Sequence, residues 1–251
     1  VVSTGGKGMR LCGGYTNYGQ DIGILMMDTV FPRIVGDIGN ANTFDIHVRY
    51  RTVRNLPTTG ITEENFEKLM ITPFLEAAKH LEEEGCKAIT TSCSFLAGFQ
   101  RQLADAVHIP VFTTPMLLVP MIHTMLNKNL EIGIFTEKAE VLSEEFFRQA
   151  GFSTKDIPVC VSGMPEDSEF ARLFIGNHMQ EDLNILEDCI SEMTEKHMKE
   201  HPKTGAIVLE CANFSPFSGI IQKIAGVPVF GMNQLLEYIH ACVNVPDYIR
   251  R

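Results

Sequence analysis

Three things are scarce in this chain of 251 residues. None of its seven cysteines forms a C-x-x-C pair, basic residues are few, and no apolar run approaches the ~20 residues of a membrane-spanning helix. Zinc and iron–sulfur centres are usually announced by closely spaced thiols, so no metal is expected. With 21 Lys and Arg against 31 Asp and Glu the net charge is −10, which leaves no surplus of cations to displace counterions from nucleic acid. An anionic membrane surface is disfavoured for the same reason. Residues 1–20 are polar and Gly-rich, without the apolar core of a secretory signal, and an odd number of cysteines closes no disulfide framework. The expectation is a cytoplasmic protein whose thiols are mostly buried apolar filler. What is present is ordinary for a globular protein: 45% hydrophobic and 21% charged residues, in a length between one and two domains.

Short runs rich in Ile and Val alternate with helical patterns. Strands are predicted at Ile22–Met27, Phe44–Arg51, Lys87–Thr91, Pro110–Phe112, Glu131–Phe135, Ile157–Val161, Ala206–Glu210 and Pro228–Phe230. Most are apolar on both faces, as buried parallel strands are. Phe44–Arg51 instead alternates apolar and charged residues and reads as a strand near an edge. Thr72-Pro73 looks like a helix start, after an earlier turn or two following Thr62, and that helix stops at Gly85. Further helices are predicted at Ser143–Ala150, closed by Gly151, and at Gln180–Lys199. The alternation implies βαβ units, an α/β fold with mainly parallel sheets and helices on both faces.

An internal repeat divides the chain. Ala88-Ile89-Thr90-Thr91-Ser92-Cys93 aligns with Ala206-Ile207-Val208-Leu209-Glu210-Cys211, and Ile109-Pro110-Val111-Phe112 with Val227-Pro228-Val229-Phe230. Positions 88 and 206, 93 and 211, and 110 and 228 all lie 118 apart. Ile22-Gly23-Ile24 and Ile132-Gly133-Ile134 open the two halves. The reading is a Gly-rich arm over 1–21, a first α/β domain formed by 22–116 with 231–251, and a second formed by 117–230. The halves differ after their first strands: residues 28–43 replace a helix with a long irregular connection, at the strand end where ligands bind in open α/β sheets.

Cys93 and Cys211 each follow a buried strand and precede a helix. A helix N-terminus favours thiolate and can hold a carboxylate. Pseudo-twofold packing sets the two thiols on opposite sides of an interdomain cleft. One can then remove a proton from a carbon while the other delivers one to the opposite face, with no cofactor.

On Ile22-Gly23-Ile24, Thr90-Thr91-Ser92-Cys93-Ser94, Ile132-Gly133-Ile134-Phe135-Thr136 and Leu209-Glu210-Cys211-Ala212-Asn213, the sequence resembles the aspartate/glutamate racemase superfamily over about Asp21 to Asp247. The resemblance implies two pseudo-symmetric α/β domains, a cysteine from each, and a cofactor-independent isomerase. An amino-acid racemase or epimerase is expected, with Cys93 and Cys211 as opposed acid/base groups. Ser94, Phe95 and Ala212 depart from the amino-acid racemases, and the Glu-Cys-x-Asn form around Cys211 is closer to hydantoin racemases and maleate isomerases. A hydantoin racemase or a maleate-type cis–trans isomerase is therefore the alternative. A non-catalytic binder of small anions is a further one.

The substrate would be a small carboxylate. The family contacts substrate at the end of its first strand, which makes Asp28 and Arg33 candidates, Arg33 as a paired donor to a carboxylate. The competing account is that Arg33 pairs with Asp28 or Asp37 within the loop. Thr136 could bond a substrate carboxylate or cap the next helix. Thr91, Ser94 and Asn213 flank the cysteines and could orient a carboxylate or an enolate-like oxygen. Strand alternation would turn Glu210 away from Cys211, so it is not assigned as a base. His47, His197 and His201 are expected to be exposed. The family suggests a homo-oligomer, and nothing in the sequence fixes the number of subunits.

Overall fold

The computed structural model describes residues 2–3, 10–54, 56 and 66–249. Gly5, Gly6 and Gly8 of the predicted arm, and the turn expected after Thr62, lie outside the described residues. Near the amino end, Val2–Ser3 pairs antiparallel with Arg10–Leu11.

Among the described residues, eight further strands form two four-stranded sheets. In the first, β1 (Ile22–Met27), β2 (Val48–Val53), β3 (Ala88–Thr91) and β4 (Val111–Phe112) take the order β2-β1-β3-β4. In the second, β5 (Glu131–Thr136), β6 (Val159–Gly163), β7 (Thr204–Leu209) and β8 (Val229–Phe230) take the order β6-β5-β7-β8. All of these pairings are parallel, and the strand order of one half repeats in the other.

Among the described residues the helices are α1 (Phe66–Glu83), α2 (Gln100–Asp105), α3 (Val119–Met125), α4 (Glu144–Gln149), α5 (Glu169–Phe174), α6 (Leu183–Glu200), α7 (Ser218–Ala225) and α8 (Met232–Val243). Each sheet is covered on both faces, as a parallel sheet must be to bury its apolar strands. Leu25 and Ile89 pack under α1 and α2, while Ile22, Ile24 and Phe112 pack under Met232, Leu235 and Leu236 of α8. Phe135, Ile207 and Leu209 meet α5, α6 and α7; Ile132, Ile134 and Val208 meet α3 and α4. None of the described helices is long and apolar enough to cross a membrane.

Several expectations shift. Strand β2 begins at Val48, not Phe44: a short 3-10 turn at Ala41–Thr43, capped by the Asn40 side chain, redirects the chain, and Phe44 is buried from irregular backbone. β2 is an edge strand, and Arg49 and Arg51 pair with Glu84 at 3.0 and 3.2 Å. Thr72-Pro73 does not start a helix. α1 runs through Pro73, because Ile71, Phe74, Ala78 and Leu81 recur at helical spacing and are all buried against the sheet, outweighing one missing backbone bond. α6 starts at Leu183, with Asp182 accepting from the Asn184 N–H. His197 is fully buried, contrary to expectation, while His47 is exposed. The His197 ring lies over Gly133, where a Cβ would stand 2.7 Å from Nε2, so the missing side chain on β5 makes the space.

Residues 28–43 tie the halves together. Phe31 leaves the first sheet and enters the second core, edge-on to Phe174 at 5.0 Å. The Val30 N–H donates to Asn177 Oδ1 at 2.8 Å, and Asn233 Nδ2 donates to the Gly36 carbonyl at 2.8 Å. Inside the loop, Arg33 donates to Asp37 at 2.8 Å and to Thr29 at 2.9 Å. Gly36 has φ +103°, and an added Cβ would lie 2.7 Å from Pro216 Cα. Gly36→Ala is therefore expected to lower unfolding free energy by about 2 kcal/mol or more, from combined backbone strain and backbone contact. Gly219→Ala, at an exposed helical position with open space around it, should change it by less than about 1 kcal/mol. Urea unfolding of both variants checks the contrast.

Candidate active site

The chain leaves the carboxyl ends of β3 and β7 in the same way. Cys93 and Cys211 each precede a six-residue 3-10 turn, Ser94–Phe99 and Ala212–Phe217, and each turn runs into a helix. The Cys93 carbonyl accepts from Leu96 N–H at 3.1 Å, and the Cys211 carbonyl from Phe214 N–H at 3.2 Å. Just before the cysteines, Ser92 N–H donates to Leu25 and Glu210 N–H to Phe135, at 2.9 and 2.8 Å. The backbone of the two corners is thus equivalent. The side chains are not.

In the first half the described corner residues Thr91, Ser92 and Cys93 are small and carry no carboxyl group. Thr91 Oγ1 accepts from the Cys93 N–H at 3.1 Å, Ser92 Oγ accepts from the Met27 N–H at 3.3 Å, and Cys93 is half-buried. The Ser94 side chain lies outside the described residues. In the second half two carboxyl groups crowd a thiol. Cys211 is 3% exposed; burial first, then the Glu137 and Glu210 carboxylates, push its thiol well above the ordinary range.

Glu137 is also raised by burial, against bonds from the Asn213 amide and the Cys211 thiol that favour its carboxylate. Asn213 Nδ2 donates to it at 2.7 Å. Glu210 is pushed up to about 8 by burial, which outweighs the bond it accepts from Thr136 Oγ1 at 2.8 Å. Three buried polar atoms beside these groups have no hydrogen-bond partner among the described residues: Glu210 Oε1, Asn213 Oδ1 and Ser215 Oγ. Such atoms are costly when buried, and a bound ligand or water would satisfy them.

A cavity of about 780 Å³ opens against this cluster. Gly98, Phe99 and Gln102, on the turn and helix after Cys93, line one side; Thr136, Glu137, Lys138, Phe146 and Glu210 are among those lining the other. Among the described lining residues neither cysteine appears. Glu137 and Glu210 reach the cavity in front of the buried Cys211.

The expected substrate contacts divide. Thr136, Thr91 and Asn213 gather around the two corners, Thr136 in the cavity wall. Thr136 does not cap a helix; Ser143 caps α4. Asp28 is exposed, 3.9 Å from Arg54, and Arg33 is held by Asp37 and Thr29, as the within-loop account had it. Neither lines the cavity. Glu210 does: β7 ends at Leu209, so strand alternation no longer governs the next residue. Glu137 escaped the sequence reading altogether. Its signal was its position directly after Thr136 at the end of the second half's first strand.

Two parallel sheets of repeated strand order, covered by helices and each followed by a matching cysteine corner, define a class. The chain has the fold of the aspartate/glutamate/hydantoin racemase-like superfamily. Allantoin racemase from Klebsiella pneumoniae superposes with a TM-score of 0.57 at 14% identity, covering 88% of each chain. Glutamate racemase from Francisella tularensis, in complex with D-glutamate, gives 0.55 at 16% identity, covering 91% of this chain and 85% of the other. By sequence the chain is similar to the dimethylsulfoniopropionate lyase of Durusdinium sp. clade D, 25% identical over an aligned length of 218 that covers 83% of this chain and 70% of that one. It is 23% identical to dimethylsulfoniopropionate lyase 3 of Emiliania huxleyi over 83% of its own length and 56% of the lyase. No family model matches.

Glu210 carries a pH signature. Its carboxyl titrates near 8 in the folded chain and near 4.3 unfolded, so above the lower value the unfolded chain releases a proton that the folded one keeps. Its contribution is full below about pH 4 and is lost as pH rises through 8. The Glu210 carboxyl alone should lower unfolding free energy by roughly 2–5 kcal/mol between about pH 5 and about pH 9, and Glu210→Gln should make the measured slope shallower. Chemical denaturation of both proteins across that range is the check; equal slopes would contradict it.

Proposed function

We propose that this chain is a cofactor-independent lyase acting on dimethylsulfoniopropionate or a close onium carboxylate. The observation that carries this reading is the sequence match to dimethylsulfoniopropionate lyases over 83% of the chain. The site is assigned to the cleft between a first domain of residues 22–116 with 231–251 and a second of 117–230. Its chemistry shares a first step with the racemases, removal of a proton next to a carboxylate.

Cys93 is assigned as the base. The thiolate takes the proton, the C–H electron pair becomes the new double bond, and the neighbouring C–S bond breaks with its electrons on sulfur. The products are acrylate and dimethyl sulfide, with the proton passing from the thiol to water. A sulfonium leaves as a neutral sulfide, so no acid need protonate the leaving group.

The cavity supports an onium carboxylate. Phe99 and Phe146 supply apolar aromatic lining for the sulfonium end, and Lys138 a positive charge for the carboxylate. Thr91, Ser94, Thr136 and Asn213 remain the assigned polar contacts, while Asp28 and Arg33 are given to the loop. Cys211, held protonated behind Glu137, serves the site as a neutral donor.

A second reading, racemisation or epimerisation of an amino acid, rests on the equivalent placement of the two cysteines. One set of reactions separates the two. Incubation with dimethylsulfoniopropionate should release dimethyl sulfide, measured by headspace gas chromatography, and Cys93→Ser should lower the rate by about 100-fold or more. Exchange of α-protons of D- or L-amino acids with deuterated water, without sulfide release, would favour the racemase. Absence of both would reject both.

A further inference from the structure

At the other end of the second sheet, Glu131, Cys160 and His201 each place a ligating atom within 4.8 Å of the other two. Glu131 opens β5, Cys160 lies near the start of β6, and His201 caps the carboxyl end of α6. The thiol is buried and the other two are half-buried. A fourth donor stands beside them: His197 Nε2 lies 3.8 Å from Cys160 Sγ. His197 and His201 sit one helical turn apart, in the His-x3-His spacing of zinc ligands, with ring centroids 5.0 Å apart.

We propose that these side chains form a metal site, with Glu131, Cys160 and His201 as ligands to a divalent transition-metal ion and His197 available as a fourth. The donor set of one thiolate, imidazole and carboxylate is that of zinc, and none of it belongs to the cysteine corners at the opposite strand ends.

The supporting contacts match what a metal-binding histidine needs. His197 Nδ1 lies 2.7 Å from Ser162 Oγ, which orients the ring and turns Nε2 toward the thiol. Thr204 Oγ1 lies 3.1 Å from that Nε2 and 3.5 Å from Cys160 Sγ, and the thiol also lies 3.7 Å from the Ile132 carbonyl. Around tetrahedral zinc, donors stand about 3.3–3.8 Å apart, given bonds of roughly 2.0–2.3 Å. The site must therefore draw in by about 1 Å, which rotations of Glu131 and His201 can supply at the rim of the sheet. Binding replaces the thiol proton, which goes to solvent.

The test uses the full chain, stripped of metal by a chelator and titrated with zinc ion alone in a calorimeter, then with cobalt(II) as a spectroscopic stand-in. One equivalent should bind with release of protons and a rise in melting temperature. Cobalt should give a thiolate-to-metal charge-transfer band. Cys160→Ser should abolish that band and His201→Ala should weaken zinc binding at least tenfold. Glu131→Gln, at the sheet rim, keeps the test valid should the buried variants fold poorly, and should also weaken binding tenfold. A wild-type chain that binds no zinc overturns the site, and so does binding that Glu131→Gln and His201→Ala leave unchanged. Sulfide release bears on the proposed lyase alone, so the two readings fail separately.

Discussion

The relation between the two cysteine corners depends on a stretch of chain with almost no regular structure. Residues 28–43 leave the first sheet, bury Phe31 in the second core, and are held there by Asn177, Pro216 and Asn233. Burying one phenylalanine is worth on the order of 1.5–3 kcal/mol, and the hydrogen bonds add direction to that attraction. The Arg33–Asp37 pair serves the same end from inside the loop, with the carboxylate nearly buried and the guanidinium lying over the Phe31 ring. A residue type that suggested substrate recognition is thus occupied in holding the seam across which substrate would bind.

The repeat makes the backbone of the site symmetric, and side chains then break that symmetry. Where the first half has Ser92, the second has Glu210; where one thiol is half-buried, the other sits behind two carboxyl groups. Desolvation decides the character of the second corner, because every titratable group there is raised by burial before any partner acts on it. It is a place that keeps protons.

Much of this was legible in the sequence. The Ile-Gly-Ile and x-x-Cys strings at fixed separation located the sheets, the strand ends and the cysteines, because buried parallel strands show as apolar runs and their carboxyl ends carry chemistry. What escaped was decided by packing. Pro73 continues a helix because the residues around it are buried on one face. His197 is buried although its helix end is rich in charge, and only Gly133 two strands of sequence earlier hints at the space it fills. Glu137 and Glu210 could not be read because alternation fails where a strand ends, and because a carboxyl group looks solvated until its surroundings are known.

The protonated second corner has a consequence for direction. A racemase works on a reaction whose equilibrium constant is one, so its forward and reverse efficiencies must match. Each turnover also exchanges the roles of its two bases, leaving the enzyme in the mirror protonation state. A protonation state that lies high in free energy slows the exchange in both directions. Here one of the two states needs a thiolate at Cys211, beside Glu137 and Glu210 and out of contact with water. An elimination imposes no such requirement, because the base that starts the cycle is restored by water and the opposite corner never changes charge. The unequal burial of two otherwise matched cysteines is a cost to a reversible exchange and none to a one-way cleavage.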